Sequence, residues 1–295
     1  MKGNVTPSRH FIITTALTAV LLAGCTARSG PSGISPAGDR GFSPMETPHA
    51  TILAEQGVDE ASARAVGQMF EIGYQVVAAD LDESRQRPRL YVYFSEPRMY
   101  QDLISRWGYP GWVRAVRTVP RMHRDYIEWI PPQRCQDAAF ITHEYAHRII
   151  EQIAGRGSQV SFKWFDEGLA EYEGQKALEL WSPAEAAWRR APHNLSGTAA
   201  LTSQSLIPFK DITTESQWSA QIERGAQLAQ NEASAAVVFL ISQHGVGDAR
   251  AVLKLIGTGR SFRDSFRTIY GFSVEEFENA FRLILPLPNP RQAVW

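Results

Sequence analysis

Two histidines, four residues apart in a stretch that reads as helix, constrain this chain more than any other feature. Residues 138–150 run Ala-Ala-Phe-Ile-Thr-His-Glu-Tyr-Ala-His-Arg-Ile-Ile, without Gly or Pro. At about 100° per residue, Ile141, Tyr145, Ala146, Ile149, Ile150 and Ile153 fill one half of the circumference. His143 and His147 fall just past the edge of that half, where a buried helix meets a cleft. They leave the same face one turn apart. Such a pair can bring two ring nitrogens to one zinc ion at about 2.0–2.1 Å each. Glu144, next in the turn, lies off the metal axis, where it can take a proton from water activated by the ion. Glu167 stands twenty positions beyond His147 and supplies an oxygen. Two His, one Glu and an open fourth position make the donor set of a hydrolytic site, since structural zinc sites close all four positions with protein.

Glu167 belongs to the run Trp164-Phe-Asp-Glu-Gly-Leu-Ala-Glu-Tyr172, which reads as a second helix. Glu171 follows Glu167 by four, on the same face. A metal-bound imidazole donates its other N–H to an outer acceptor, and Glu171 is placed for that role. An exposed helix carboxylate is the alternative reading of Glu171.

These two segments together resemble the gluzincin metallopeptidases, and within them the compact bacterial proteins called peptidase MA-like. The resemblance implies zinc ligands at His143, His147 and Glu167, Glu144 as general base and Glu171 as outer partner of a ligand. It extends more loosely from about Arg89 to about Leu285. One departure stands out. Members of that group carry a downstream Tyr or His that donates to the developing oxyanion, and no Tyr occurs in Gln227-Leu-Ala-Gln-Asn-Glu-Ala-Ser234. Asn231 or Gln230 can donate instead, and His193, His244 or Tyr270 can fold in from elsewhere. Loss of one such donor costs about 10²–10³ in rate.

The N-terminus carries a different signal. Lys2 and Arg9 precede a largely apolar stretch from Phe11 to Ala23, ending in Leu22-Ala-Gly-Cys25. Thirteen residues at about 1.5 Å each fall short of a bilayer core of about 30 Å, so a signal-peptide core is the better reading than a permanent span. Leu-Ala-Gly-Cys is similar to the lipobox of bacterial lipoproteins, which implies an acylated Cys25 as the mature N-terminus. An anchored position on a bacterial cell envelope follows, at the outer membrane in a double-membraned cell. Residues 26–50 hold four Ser, four Pro and four Gly, too few large apolar groups to offset chain entropy, and read as a flexible linker. The expected layout is a signal peptide over 1–24, lipidated Cys25 and linker to 50, a catalytic domain over 51–288 and a tail over 289–295.

A net charge of −1 gives no argument for nucleic acid; the arginines of the first half read as solvated surface. With Cys25 committed to lipid, Cys135 has no partner for a disulfide. Eight residues before His143, it is more than about 10 Å away along the helix axis, too far to ligate, and reads as a buried structural thiol.

The expected fold is α+β: a small sheet packed on the histidine helix, then a C-terminal helical lobe. Helices are predicted over 58–80, 97–107, 164–178, 183–190, 228–244, 248–256, 261–269 and 274–285, and strands over 90–94, 112–119 and 126–130. The last strand is predicted to border the cleft, where an extended peptide can add to it. Residues 191–227 read as irregular. The function implied is hydrolysis of peptide bonds in a peptide or protein substrate, with one Zn²⁺ per chain. Two alternatives stay open: a zinc-binding, weakly active envelope scaffold, and a zinc hydrolase acting on a non-protein amide.

Overall fold

The computed structural model describes residues 41–82, 84, 87–94, 98–99, 121–123, 126–129, 137–190, 201, 205–223 and 227–285. All lie in the unit Asp39–Trp295. Its sheet has strands β1 (Phe42–Glu46), β2 (Thr51–Glu55), β3 (Arg89–Val92), β4 (Arg121–His123) and β5 (Tyr126–Trp129), in the order β1-β2-β3-β5-β4. β2, β3 and β5 are parallel, and each outer strand pairs antiparallel with its neighbour. Helix α1 (Glu60–Asp80) makes the crossover from β2 to β3. Asp59 starts it, its carboxylate accepting from the Ser62 N–H at 2.8 Å, and so satisfies one of the first unpaired amides.

Two strand expectations need correction. Residues 42–46, read as linker, form β1 and pair in register with β2 through Phe42↔Glu55 to Glu46↔Thr51. An edge strand is held by main-chain bonds, so a Ser/Pro-containing segment can join one without a run of apolar side chains. The strand at 126–129 is not at the edge: β3 flanks it on one side and β4 on the other. Peptide addition to that strand is therefore blocked by Arg121–His123, which occupy its free side. Apart from helical Arg98 and Met99, the predicted elements at 97–107 and 112–119 lie outside the described residues, as do Cys25, Cys135, His193 and the apolar stretch 11–23. Among the described residues, no helix is long and apolar enough to cross a membrane.

The histidine helix, α2 (Asp137–Ala154), packs between α1 and α3 (Lys163–Trp181). Ile141, Tyr145, Ala146, Ile149 and Ile150 are fully buried, as the periodicity requires. The α1–α2 crossing is very close. A β-carbon on Gly73 would stand 2.2 Å from Oγ1 of buried Thr142, so glycine leaves the room that the Thr142 side chain occupies against α1.

The helical lobe follows: α4 (Pro183–Arg190), α5 (Glu215–Glu223), α6 (Gln227–His244), α7 (Val246–Gly257), α8 (Phe262–Tyr270) and α9 (Val274–Ile284). α5, with a short 3-10 turn at Phe209–Asp211, lies inside the stretch expected to be irregular. α5 places Trp218 in the core and, apart from Ala220 and Ile222, is polar, too faint a pattern to register as amphipathic. The lobe is built around aromatic rings. Trp164 stacks on Phe209 at 4.3 Å and 8° and meets Phe262, Phe266 and Phe277.

Candidate metal centre

Trp164 and Phe165 plug the first turn of α3 into that aromatic core, and both are fully buried. The main chain reinforces this: the N–H groups of Lys163 and Trp164 donate to the carbonyls of Thr213 and Ile212 at 2.7 and 3.2 Å. These satisfy two amides that a helix start leaves unpaired. With Trp164 and Phe165 committed to the lobe, the next two side chains turn towards α2.

Glu167 and the two histidines converge there. The Nε2 atoms of His143 and His147 are 3.1 Å apart, and Oε2 of Glu167 lies 3.4 Å from the first and 3.7 Å from the second. A tetrahedral ion with ligands at about 2.0–2.1 Å separates its donors by about 3.3 Å. The three atoms thus have the spacing of one tetrahedral face, and this group can hold a metal ion. At 3.1 Å the two Nε2 atoms are within hydrogen-bond distance of each other, a closeness that a shared proton or a shared cation accounts for. The cluster is largely buried, with His143 8% exposed. A converging, desolvated donor set of this kind fits a cation of the zinc class.

The groups behind the donors fix their orientation. Nδ1 of His147 donates to Oδ1 of Asp166 at 2.8 Å, and that oxygen also accepts from Gln159 Nε2 at 3.1 Å. Gln159 Nε2 donates in addition to the His147 carbonyl at 2.7 Å. On the other imidazole, Oε2 of Glu171 approaches Nδ1 of His143 at 3.5 Å, an ion-pair distance without hydrogen-bond geometry. The expected outer partner is therefore near its histidine, while the stronger contact belongs to Asp166, which the sequence reading missed. The signal was present in the residue next to Glu167. Successive helix residues point about 100° apart, so one can face the metal while its neighbour reaches the back of an imidazole.

Charge follows from this packing. Burial works against the ionised form of Glu167, but His147 and Lys163 outweigh it and hold its carboxyl well below the ordinary range. Burial also works against a charged His147, yet Asp166 and then Glu167 raise it to about 9. Burial of His143 is likewise overcome, by Glu167 and Glu171. Glu144 is half-buried on the same turn, and its charge acts on His143.

The substitutes for the missing tyrosine fare differently. His244 and Tyr270 pack on each other at 5.1 Å in the helical lobe. α6 meets α3 at Gly168, whose added β-carbon would lie 2.3 Å from the Ala233 carbonyl. Asn231 is two residues before Ala233, about 200° round the helix, and its Nδ2 is buried without a hydrogen-bond partner among the described residues. Gln230, three residues before, is on the α3 side.

A histidine pair on a helix backed by a sheet, with a glutamate from the next helix completing three donors, defines a metallopeptidase-like domain. Residues 90–286 match the profile of the peptidase MA superfamily. That is more than half of the chain's 295 residues, and the chain belongs to this family. Among curated proteins, none matches it.

Proposed function

We propose that this chain is a gluzincin-type zinc metallopeptidase held on a bacterial envelope by lipid on Cys25. The observation that carries the catalytic reading is the donor triangle of His143, His147 and Glu167, with sides of 3.1, 3.4 and 3.7 Å. Zinc bound there supplies a Lewis acid that activates water and polarises a carbonyl. Glu144 accepts the proton of the attacking water on its carboxylate and returns it to the leaving amine. Asp166 fixes the tautomer of His147 by accepting a hydrogen bond from its Nδ1–H, which leaves the Nε2 lone pair for the metal. Gln230 is the α6 side chain best placed by helix geometry to stand in for the absent tyrosine.

Anchoring rests on the sequence alone: Lys2 and Arg9, the apolar stretch to Ala23, and Leu22-Ala-Gly-Cys25. Fatty-acid labelling of the expressed full chain, abolished by Cys25→Ser, tests it; equal labelling of both would remove the anchor from the reading. The substrate class is a peptide or protein, and nothing in the charge favours nucleic acid.

Catalysis is tested by incubating the protein with a broad peptide library, with and without a chelator, beside Glu144→Gln. Chelator-sensitive cleavage by the parent is expected, with the variant slower by about 10²–10⁴. Parent-like turnover by Glu144→Gln would contradict the assigned role.

A further inference from the structure

Lys163 has no part in the chemistry above, yet its ammonium lies against the cluster. It is 2.7 Å from Oε1 of Glu167, 3.2 Å from Oδ2 of Asp166 and 3.6 Å from Oε2 of Glu215 on α5. Its side chain is only 14% exposed. The oxygens are divided consistently. In both α3 carboxylates Lys163 takes the oxygen that faces away from the histidines. Oδ1 of Asp166 is left for Nδ1 of His147, and Oε2 of Glu167 is left for the donor triangle.

That division matters because a carboxylate can hold a cation through one oxygen or through both. A second oxygen from Glu167, added beside the two histidines and a water, would raise the ion from four-coordinate to five-coordinate and crowd the position that a catalytic zinc site keeps open. Building on the zinc-site reading, we propose that Lys163 is a positioning residue that confines Glu167 to one-oxygen ligation and so preserves the open position. The ammonium acts from a fixed root. The Lys163 N–H is tied to the Thr213 carbonyl at 2.7 Å, and its neighbour Trp164 is stacked into the lobe. From the first residue of α3, a lysine reaches the carboxylates three and four residues on, along one face of the helix. Glu215 closes the outer side of the ammonium and balances part of its charge.

The test replaces zinc by cobalt(II) in the full chain, because cobalt d–d absorption weakens as coordination rises above four. The parent is expected to show intense four-coordinate bands. Lys163→Met releases Oε1 of Glu167 and is expected to give weaker, higher-coordinate bands. Lys163→Arg restores a cation beside the same oxygens and is expected to return the spectrum to that of the parent. If Lys163→Met does not fold, Lys163→Gln, neutral and polar, serves the same comparison. Spectra of the neutral variants that superimpose on the parent's would overturn the proposal while leaving the metal site standing. A parent that takes up no cobalt would overturn the zinc-site reading, and this inference with it.

Discussion

Asp166 holds Nδ1 of His147 at 2.8 Å with a carboxylate that has no solvent exposure. Its second oxygen is engaged by Lys163 at 3.2 Å, so neither oxygen is free to swing away. The contact sets which nitrogen of His147 faces the cluster, and it raises that imidazole's basicity. Asp166→Asn keeps the shape and removes the charge. Zinc affinity of the variant, measured by competition with a chromophoric chelator, is expected to fall by about 10–100-fold. An unchanged affinity at an unchanged melting temperature would mean that Asp166 serves only the fold.

Gly168 adjoins Glu167 and sets how closely α6 approaches α3. A β-carbon there would meet the Ala233 carbonyl at 2.3 Å and Cγ2 of Val237 at 2.5 Å. The first of these is backbone and cannot rotate aside. Gly168→Ala is expected to lower stability by about 1–3 kcal/mol, as overpacking does. Gly247, in α7 with nothing within 4 Å of the added carbon, is the control. Gly247→Ala is expected to be neutral or slightly stabilising. Thermal melting of the two variants side by side checks the contrast, and equal melting temperatures would contradict the close crossing.

Glu232, on α6, ties the helical lobe to the segment that leads into α5. Its Oε2 accepts from the Ile207 N–H at 2.9 Å, and Glu278 does the same for Phe209 at 3.0 Å. Burial pushes the Glu232 carboxyl up to about 8 from an ordinary value of 4.5, against the Ile207 N–H, which lowers it; Glu278 adds to the rise. The folded chain thus binds this proton more tightly than the unfolded one. The resulting stability is complete below about pH 4.5 and is lost as pH rises through about 8, at up to about 1.4 kcal/mol per pH unit. Glu232→Gln keeps an acceptor for Ile207 and removes the titration. Its denaturation midpoint is expected to vary less between pH 5 and pH 8 than the parent's, by about 1 kcal/mol or more in extrapolated stability. Parallel pH profiles would show that Glu232 is ionised in the folded chain throughout.

Much of the site could be read from the residues alone. The α2 face was set by its apolar half, and His143, His147 and Glu167 meet as their spacing requires. What escaped was held by contacts that leave no pattern. β1 pairs through its main chain, so Phe42–Glu46 looked like linker. The β4–β5 hairpin joins His123 to Tyr126 without an Asn-Gly or Asp-Gly turn, and its absence from the reading left β5 at an edge it does not occupy. Asp166 and Lys163 share one helical turn with Glu167. Their roles depend on which carboxylate oxygen points where, and spacing along a helix carries no record of that. The place of Glu171 was legible, while its rank behind Asp166 needed distances.

Metal content of the purified protein is the most direct test of the account. Elemental mass spectrometry of the parent, His147→Ala and Glu167→Ala, each exposed to zinc and dialysed, compares the donor triangle intact and broken. About one zinc per parent chain is expected, with loss of it in both variants. A folded parent that emerges without metal, or variants that retain it in full, would contradict the site at its centre.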